Sequence, residues 1–369
     1  MSDAPDVDVI VPVHAATRPV ERLAASVLDA TASDVRITFV CHNVDTRDIA
    51  TALGARADDP RVRLISHRDD TRSPAGPFNR GLDVATAPYV VKVDSDDTLE
   101  HGAIDSWLVI ARRTGSEAVI ARMVDSASRR EYATPPARPG RRSSLDPVRD
   151  RLSYRTSTMG LFSLDLFRRA RAVEGLSTGE DIEQSLRLWF SGARLALASK
   201  SPAYLVHGGA IDRVTESQLP IADEFAWLPR LTGTDWFRTL PTRARRSVAL
   251  KLIRVQLFGA VSNRRRADTW RPADRAALRN AAHVLVDLAG PAKACLSIAD
   301  ARLLNRILDH RAGVDSILDA AAARTRFGHP GTLLPSNLLR ICHREAPPRL
   351  IVAFAVASRR GRHIKHRPC

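Results

Sequence analysis

Short apolar runs rich in β-branched residues alternate with amphipathic segments over the first 124 residues, and this alternation constrains the fold more than any other feature. Strands that alternate with helices favour a parallel α/β sheet. Ligands of such sheets bind at the carboxyl ends of the strands, so the residues there are the first candidates for a functional site. The pattern predicts strands at 7–13, 36–41, 61–66, 87–93 and 117–124, helices at 18–30, 49–57 and 101–114, and a turn followed by a helix at 73–85.

The alternation stops between residues 126 and 157. This segment is rich in Arg, Pro and Ser and has no periodicity, so we predict a flexible loop that could act as a lid. Beyond it, 159–170 is typical of a strand, a turn and a helix. Residues 178–192 have the spacing of a helix with one apolar face.

The last third of the chain differs in both charge and pattern. From Leu240 onward there are 25 Lys and Arg against 8 Asp and Glu, a net charge of +17, whereas the whole chain carries +15. Strand signals fade there and helical spacing takes over, with Gly290, Gly313 and Gly328 placed as helix C-caps. We therefore predict an α/β domain at 1–239 and a basic, mainly helical region at 240–369. The charge predicts a polyanionic partner (nucleic acid, anionic lipid or a phosphate-containing polymer) or, alternatively, only a solubilising surface.

Targeting and redox signals are weak. No run approaches the ~18 apolar residues of a membrane span, and the acidic N-terminus lacks the pattern of a signal peptide. We therefore expect a cytoplasmic protein. The four cysteines form no C-x-x-C pair, so we expect reduced thiols. The apolar stretch at 350–357 is too short to span a bilayer. It could lie on the inner face of the plasma membrane, as a peripheral contact, or dock on the preceding helices.

Three carboxylates, Asp94, Asp96 and Asp97, follow the fourth predicted strand within VVKVDSDDTL. A divalent cation such as Mg²⁺ prefers oxygen ligands of this kind, together with substrate phosphates. An Asp-rich turn that caps the next element is the alternative reading.

A second acidic pair, Glu180 and Asp181, opens the helix at 178–192. A carboxylate held at a helix start beside an apolar face can have its pKa raised enough to act as a general base. The alternative is a capping box, with Thr178 as N-cap and Asp181 three residues later.

The segment SPAGPFNRGL, 73–82, contains an N-R-G element at 79–81. Its prolines and glycines predict a turn that leads into a helix. Asn79 would then either hydrogen-bond a ligand or cap the helix, and capping is the commoner role of such an Asn.

Together these motifs resemble the family 2, GT-A-fold inverting glycosyltransferases, over about residues 7 to 210. VDVIVPVHAATRPVERLAASV, SPAGPFNRGL, YVVKVDSDDTLE and GEDIEQSLRLW occur in the order and spacing of that family. Within it, the sequence looks closest to bacterial cell-surface polymer glycosyltransferases, including those that glycosylate teichoic acids. The resemblance implies that the domain at 1–239 has a GT-A fold with a Rossmann-like mixed sheet. It also implies a nucleotide-sugar donor, a hydroxyl acceptor and Mn²⁺ or Mg²⁺.

The resemblance implies further roles by position. Asp181 would be the catalytic base, with Glu180 beside it. Asp96 would coordinate the metal that bridges the diphosphate, with Asp94 near the ribose and metal and His207 near the diphosphate or metal. The residues implied to contact the donor are Pro12, Val13, His14, Cys41, Asn43, Arg68, Asn79, Arg80, Asp94 and Ser95.

Two departures affect the donor site. The family commonly has D-D-G-S after the second strand, and its first Asp contacts the base; here Cys41, His42, Asn43 and Val44 stand there, which puts uracil specificity in doubt. Phe78 stands where an Arg often precedes the Asn, so Arg80 or Arg68 would supply the charge.

Two other functions remain open at this point. The first is an inactive GT-A-like scaffold for surface-polymer assembly, although intact Asp94, Asp96 and Asp181 argue against it. The second is a nucleic-acid-binding protein. Against this, aromatic content is only 5%, low for base stacking, and no helix-turn-helix or zinc-finger pattern occurs. A homo-oligomer through the C-terminal region is also compatible with the sequence.

Overall fold

The computed structural model describes residues 4–208 and 218–359, so the basic tail at 360–369 lies outside the described residues. The strands are β1 Val7–Val13, β2 Val35–His42, β3 Val62–His67, β4 Tyr89–Lys92, β5 Thr98–Leu99, β6 Ala118–Ala121, β7 Met123–Asp125, β8 Gly160–Ser163, β9 Leu195–Ala198 and β10 Tyr204–Val206. Helices of the first 239 residues are α1 Val20–Leu28, α2 Thr46–Leu53, α3 Ala75–Val84, α4 Ala103–Thr114, α5 Leu164–Arg169, α6 Glu180–Trp189, α7 Ile221–Glu224, α8 Trp227–Gly233 and α9 Asp235–Thr239. The later helices are α10 Thr242–Leu252, α11 Phe258–Ser262, α12 Asp274–Ala289, α13 Ile298–Leu308, α14 Val314–Arg324, α15 Pro330–Leu333 and α16 Pro347–Arg359, and a π-helical turn at Ile253–Leu257 joins α10 to α11.

A seven-stranded mixed sheet forms the centre of the first half, in the order β3-β2-β1-β4-β8-β6-β9. The strands β3, β2, β1 and β4 are parallel, as the alternating pattern predicts, while β8 runs antiparallel to both of its neighbours. The predicted strand at 117–124 is divided at Arg122: β6 belongs to this sheet, and β7 joins β10 and β5 in a small second sheet. The parallel strands bring the ends of β1, β2, β3 and β4 to one edge, where the candidate residues lie.

Both faces of the large sheet are covered. Val7, Val9 and Val11 of β1 pack in one cluster with helices α1 and α4, whereas Ile10 packs in the cluster on the opposite face with α3. Every residue of β1 is buried, which is why this strand is continuously apolar rather than alternating.

The segment 126–157 has no helix or strand apart from a short 3₁₀ turn at Leu152–Tyr154 and one bridge, Glu131 to Val124. Leu145, Leu152 and Tyr154 are nevertheless buried. The loop is therefore packed along part of its length, and its flexibility stays a prediction.

The last third of the described chain is helical, as predicted, but its hydrophobic contacts cross the predicted boundary at 239/240. One cluster, called here the C-terminal core, contains buried residues between Val173 and Ile317 and includes α7, α8 and α9. Gly290 does end α12, whereas Gly313 begins α14 and Thr325, not Gly328, is the C-cap of α14, so the capping prediction was wrong for Gly313 and Gly328.

Helix α16 contains the apolar stretch at 350–357. Its Ala353 and Ala357 are buried, and the Phe354 ring lies 5.7 Å from the Tyr154 ring, which favours docking onto the protein. Within residues 4–208 and 218–359, no helix has the length and apolar character needed to cross a membrane.

Candidate active site

The turn after β4 is held by a buried hydrogen-bond network centred on Asp97. Its Oδ2 accepts from the Tyr204 hydroxyl at 2.8 Å, and its Oδ1 accepts from the His207 backbone N–H at 2.8 Å. The Tyr204 hydroxyl in turn accepts from the Asp94 backbone N–H at 3.0 Å. Burial raises the pKa of Asp97 to about 7, and the charge of Asp94 acts in the same direction. Asp97 thus positions the turn that presents Asp94 and Asp96.

Arg18 joins the ends of two neighbouring strands. One guanidinium nitrogen lies 3.1 Å from Asp96 Oδ2 after β4, and the other lies 3.3 Å from His14 Nε2 after β1. Arg22 also donates to the Asp96 carbonyl at 2.8 Å. Neither arginine stands out in the sequence, because Asp96 lies 78 and 74 residues away from them. They place two cations beside the carboxylates after β4.

Helix α6 starts where the acidic pair was predicted, and its N-cap is Gly179 in the left-handed conformation (φ 76°). A Cβ at this position would lie 2.4 Å from Cδ1 of Trp227, so the ring of α8 packs directly on the glycine. No side chain caps the helix, and the capping-box interpretation with Thr178 was therefore wrong. The left-handed Gly179 and the Trp227 ring that packs on it instead fix the start of the helix, and with it the backbone of Glu180 and Asp181.

The acidic pair and the turn after β4 share one electrostatic environment. Burial and the charge of Asp181 raise the pKa of Glu180 to about 7, and burial also raises the pKa of Asp181. The negative charge of Asp94 raises both pKa values further, while the positive charge of Lys92 lowers both. These effects indicate that the two acidic motifs, about 85 residues apart in the sequence, influence each other electrostatically in the fold.

Two buried lysines border the acidic pair, and the sequence predictions missed both. Lys92, in β4, places its Nζ 5.4 Å from the centre of the Phe78 ring. Lys251, in α10, is 2% exposed; burial lowers its pKa to about 8, against the opposing charge of Asp181. A signal was present in each case, because a lysine within VVKV or VALKLI is expensive to bury without a partner.

The three predicted metal ligands, Asp94, Asp96 and His207, do not converge. In the part of the chain that the structure describes, the only group of three or more His, Cys, Asp or Glu side chains within metal-binding reach lies elsewhere. Both ring nitrogens of His207 already have partners, Thr98 Oγ1 at 2.8 Å and Ser126 Oγ at 3.0 Å. Carboxylate oxygens suit Mg²⁺ or Mn²⁺, which commonly use one or two of them plus substrate phosphates. Asp94 and Asp96 therefore fit such an ion, whereas His207 would first have to lose a hydrogen bond.

Asn79 has a different position from the predicted one. Gly76, Asn79 and Gly81 lie inside α3, so the turn predicted for N-R-G was wrong, as was a capping role. The Asn79 amide nitrogen donates to the Ala172 carbonyl at 2.9 Å and to Glu174 Oε1 at 2.6 Å, and its oxygen accepts from the Ala172 N–H. Because both amide donors are engaged, the structure does not favour a contact with a diphosphate.

The other residues implied to bind the donor lie at the ends of strands β1 to β4 or just after them, except for Arg80, which lies within α3, and they differ in exposure. Pro12, Val13 and Cys41 are buried at the ends of β1 and β2, and burial raises the pKa of the Cys41 thiol to about 11. Ser95 is also buried, in the turn after β4. His14, Asn43, Arg68 and Arg80 are exposed. For a ligand above the sheet edge, the exposed members are the accessible ones, and their roles stay predictions.

A histidine–aspartate cluster lies at the ends of β2 and β3. His42 Nε2 is 2.9 Å from Asp69 Oδ1, and His67 Nε2 is 2.8 Å from Asp69 Oδ2. Although burial opposes it, these contacts lower the pKa of Asp69 to about 2. A Cβ at Gly76 would lie 2.5 Å from Asp69 Oδ2, so α3 packs against the cluster. Of the three, only His42 belongs to the stretch 41–44 that stands where D-D-G-S is expected from the resemblance.

Comparisons with known proteins agree with this architecture. The sequence model of Glycosyl transferase family 2 matches residues 8–170. Among solved structures, S. aureus TarS 1–349 is similar with a TM-score of 0.66 and 13% identity, covering 86% of this chain and 90% of that chain. Its complex with UDP-GlcNAc gives a TM-score of 0.62 and 14% identity, covering 86% and 91%. No curated protein sequence matches. At such identities the structural likeness establishes the fold, and the predicted GT-A architecture is confirmed.

Proposed function

We propose, from the match of the Glycosyl transferase family 2 model to residues 8–170, that the chain transfers a sugar from a nucleoside-diphosphate donor to a hydroxyl acceptor by a single displacement with inversion. The proposal rests on the electrostatic coupling of the two acidic motifs, because the negative charge of Asp94 raises the pKa of both Glu180 and Asp181. One motif would serve the donor and the other the acceptor.

Asp181 is the proposed general base. It accepts the proton of the acceptor hydroxyl while that oxygen attacks the anomeric carbon and the bond from that carbon to the diphosphate breaks. Its raised pKa makes it a stronger base than an ordinary carboxylate, and the positive charges of Lys251 and Lys92 oppose that rise and help to keep it ionised near neutral pH.

Asp94 and Asp96 are the proposed metal ligands, together with the donor phosphates. A bound Mn²⁺ or Mg²⁺ would neutralise charge on the diphosphate leaving group. Arg18 and Arg22 are already beside Asp96 and add positive charge to the same region. This part of the site thus suits a departing diphosphate.

The solved TarS structures with UDP-GlcNAc and with UDP make uridine nucleotides the first donors to test. For the acceptor, the basic C-terminal region favours a phosphate-containing surface polymer such as a teichoic acid. Donors can be identified by the rise in melting temperature that a nucleotide sugar causes in the presence of Mn²⁺, since a ligand of the native state stabilises it.

The substitution Asp181→Asn tests the assignment of the base. It should lower kcat by at least ~100-fold, while the donor Kd, measured by calorimetry, changes less than about twofold because the amide keeps the shape of the carboxylate. Asp165→Asn, an exposed carboxylate on α5, is the matched control and should leave both unchanged. An unchanged kcat in Asp181→Asn would contradict the assignment of Asp181 as the general base.

A further inference from the structure

A cavity of about 270 Å³ lies within the C-terminal helical region, between the start of α10, the turn after α12 and the segment before α16. Four arginines line it: Arg243 and Arg246 from α10, and Arg340 and Arg344 from the later segment. A single water needs about 15 Å³ of such space, so the cavity has room for an anion with several waters.

The charge of this cavity is unbalanced. Among the described residues, the guanidinium groups of Arg243, Arg246 and Arg340 have no hydrogen bond or ion pair. Glu345 is the one acidic residue in the described lining, and it is buried. Its carboxylate already lies 3.3 Å from Arg254 and accepts from the Ser247 hydroxyl. The single negative charge of Glu345 therefore does not balance the positive charges of Arg243, Arg246 and Arg340.

The arginines also repel one another. Burial lowers the pKa of Arg344, and the charges of Arg151 and Arg243 lower it further, while Glu345, 3.7 Å from its Nε, opposes the shift. An anion bound in the cavity would offset this repulsion. The planar guanidinium fork matches the oxygens of a phosphate group.

We propose that this cavity binds a phosphate group, and that the group belongs to the anionic acceptor. The lining contains none of the catalytic carboxylates, so the site would hold the polymer at a point away from the reacting hydroxyl. The lining of the cavity supports the phosphate site by itself, whereas the assignment of the phosphate to the acceptor rests on the proposed function.

The site is tested by titrating the full chain with inorganic phosphate by calorimetry, in buffer with about 150 mM NaCl to screen weak surface binding. The double substitution Arg246→Gln and Arg340→Gln should weaken phosphate binding about tenfold or more, because it removes two of the guanidinium groups that would hydrogen-bond the phosphate. The matched control is Arg302→Gln with Arg306→Gln, which removes two exposed arginines of α13 outside the cavity. Equal affinities in the two doubles would overturn the phosphate site.

Two further measurements complete the test. The melting temperature of the cavity double without phosphate should equal or exceed that of the parent, because the substitution relieves repulsion; a lower value would contradict the unbalanced charge. With teichoic acid as acceptor, the cavity double should raise KM and leave kcat unchanged. An unchanged KM would show that the phosphate bound in the cavity does not belong to the acceptor. If the parent chain transferred no sugar at all, the proposed function would be contradicted, and the phosphate titration alone would decide whether the cavity binds phosphate.

Discussion

Lys251 comes from a helix of the C-terminal region and is buried beside the proposed base. Its positive charge lowers the pKa of Asp181, against the upward effect of burial. The base works only when ionised, so activity is present above its pKa and is lost as pH falls through it. Removing the lysine charge should raise that pKa and move the acid limb of the kcat/KM profile to higher pH.

Lys251→Met tests this at nearly constant volume. The ratio of kcat/KM at pH 6.5 to that at pH 8.5 should fall in the variant. Above about pH 8 the two profiles should converge, because burial has lowered the pKa of Lys251 to about 8 and the parent loses the same charge there. Lys293→Met, at an exposed position of the same region, should leave the profile unchanged. Parallel profiles for Lys251→Met and the parent would contradict this account.

Individual residues were predictable from the sequence where the local pattern carried the information. Asp94, Asp96 and Asp181 follow a strand or open a helix, so polar residues beside an apolar run pointed to them. Arg18 and Tyr204 were missed, because their roles come from contacts with the turn after β4, 78 to 110 residues away in the chain. Sequence periodicity carries no information on contacts between residues so far apart in the chain.

At the scale of elements, the start of α6 depends on one glycine. Gly179 has a left-handed conformation, and any Cβ there would also overlap the Trp227 ring. Gly179→Ala should therefore lower the free energy of unfolding by about 2 kcal/mol or more, from the backbone and the overlap together. It should also lower kcat/KM, since the displaced helix start carries Glu180 and Asp181.

Gly175→Ala is a closely matched control for that experiment. Gly175 has a similar φ of 79°, and a Cβ added there would have no other atom within 4 Å, so this variant carries the backbone cost without the overlap. Urea denaturation of both variants then isolates the Trp227 contact. Equal losses of stability, or an unaltered kcat/KM in Gly179→Ala, would show that the ring does not position the acidic pair.

The helix α3 shows why one element was misread. Its prolines and glycines predict a turn, yet Pro77 lies in the first helical turn, where a missing N–H costs little. Gly76 and Gly81 serve close packing instead: a Cβ on Gly81 would lie 2.4 Å from Ile10 Cγ2 in β1. The alternation of strands and helices still predicted most elements of the sheet, because burial on both faces makes a central strand such as β1 a distinct apolar run.

At the scale of the whole molecule, charge and packing divide the chain at different places. The basic excess begins at Leu240, but the C-terminal core already includes α7, α8 and α9 and also residues of α6. The buried residues of the two clusters that cover the large sheet extend only to Tyr204. Composition revealed the charge boundary, whereas the packing boundary depends on long-range contacts that composition does not record.

This difference predicts how truncated chains behave. A chain of residues 1–239 contains all the strands of the sheet. It would, however, expose Ile182, Leu186, Trp227 and Phe237, which pack in the C-terminal core. At about 1.5–3 kcal/mol for each large apolar side chain, the loss is comparable to the ~5–15 kcal/mol that stabilises a typical domain. We expect 1–239 to lack a cooperative unfolding transition in urea, followed by circular dichroism, and to lose donor binding along with the support of α6.

A chain of residues 1–346 is the matched comparison, because the buried residues of all three hydrophobic clusters end at or before Ile317. It should unfold cooperatively and bind donor as the full chain does. If 1–239 instead unfolded cooperatively with donor affinity intact, the acidic pair would be positioned without the C-terminal core, and Lys251 and the basic cavity would belong to a separable unit. If both truncated chains failed, the docking of α16 on Tyr154 would have to contribute more than its few buried alanines suggest.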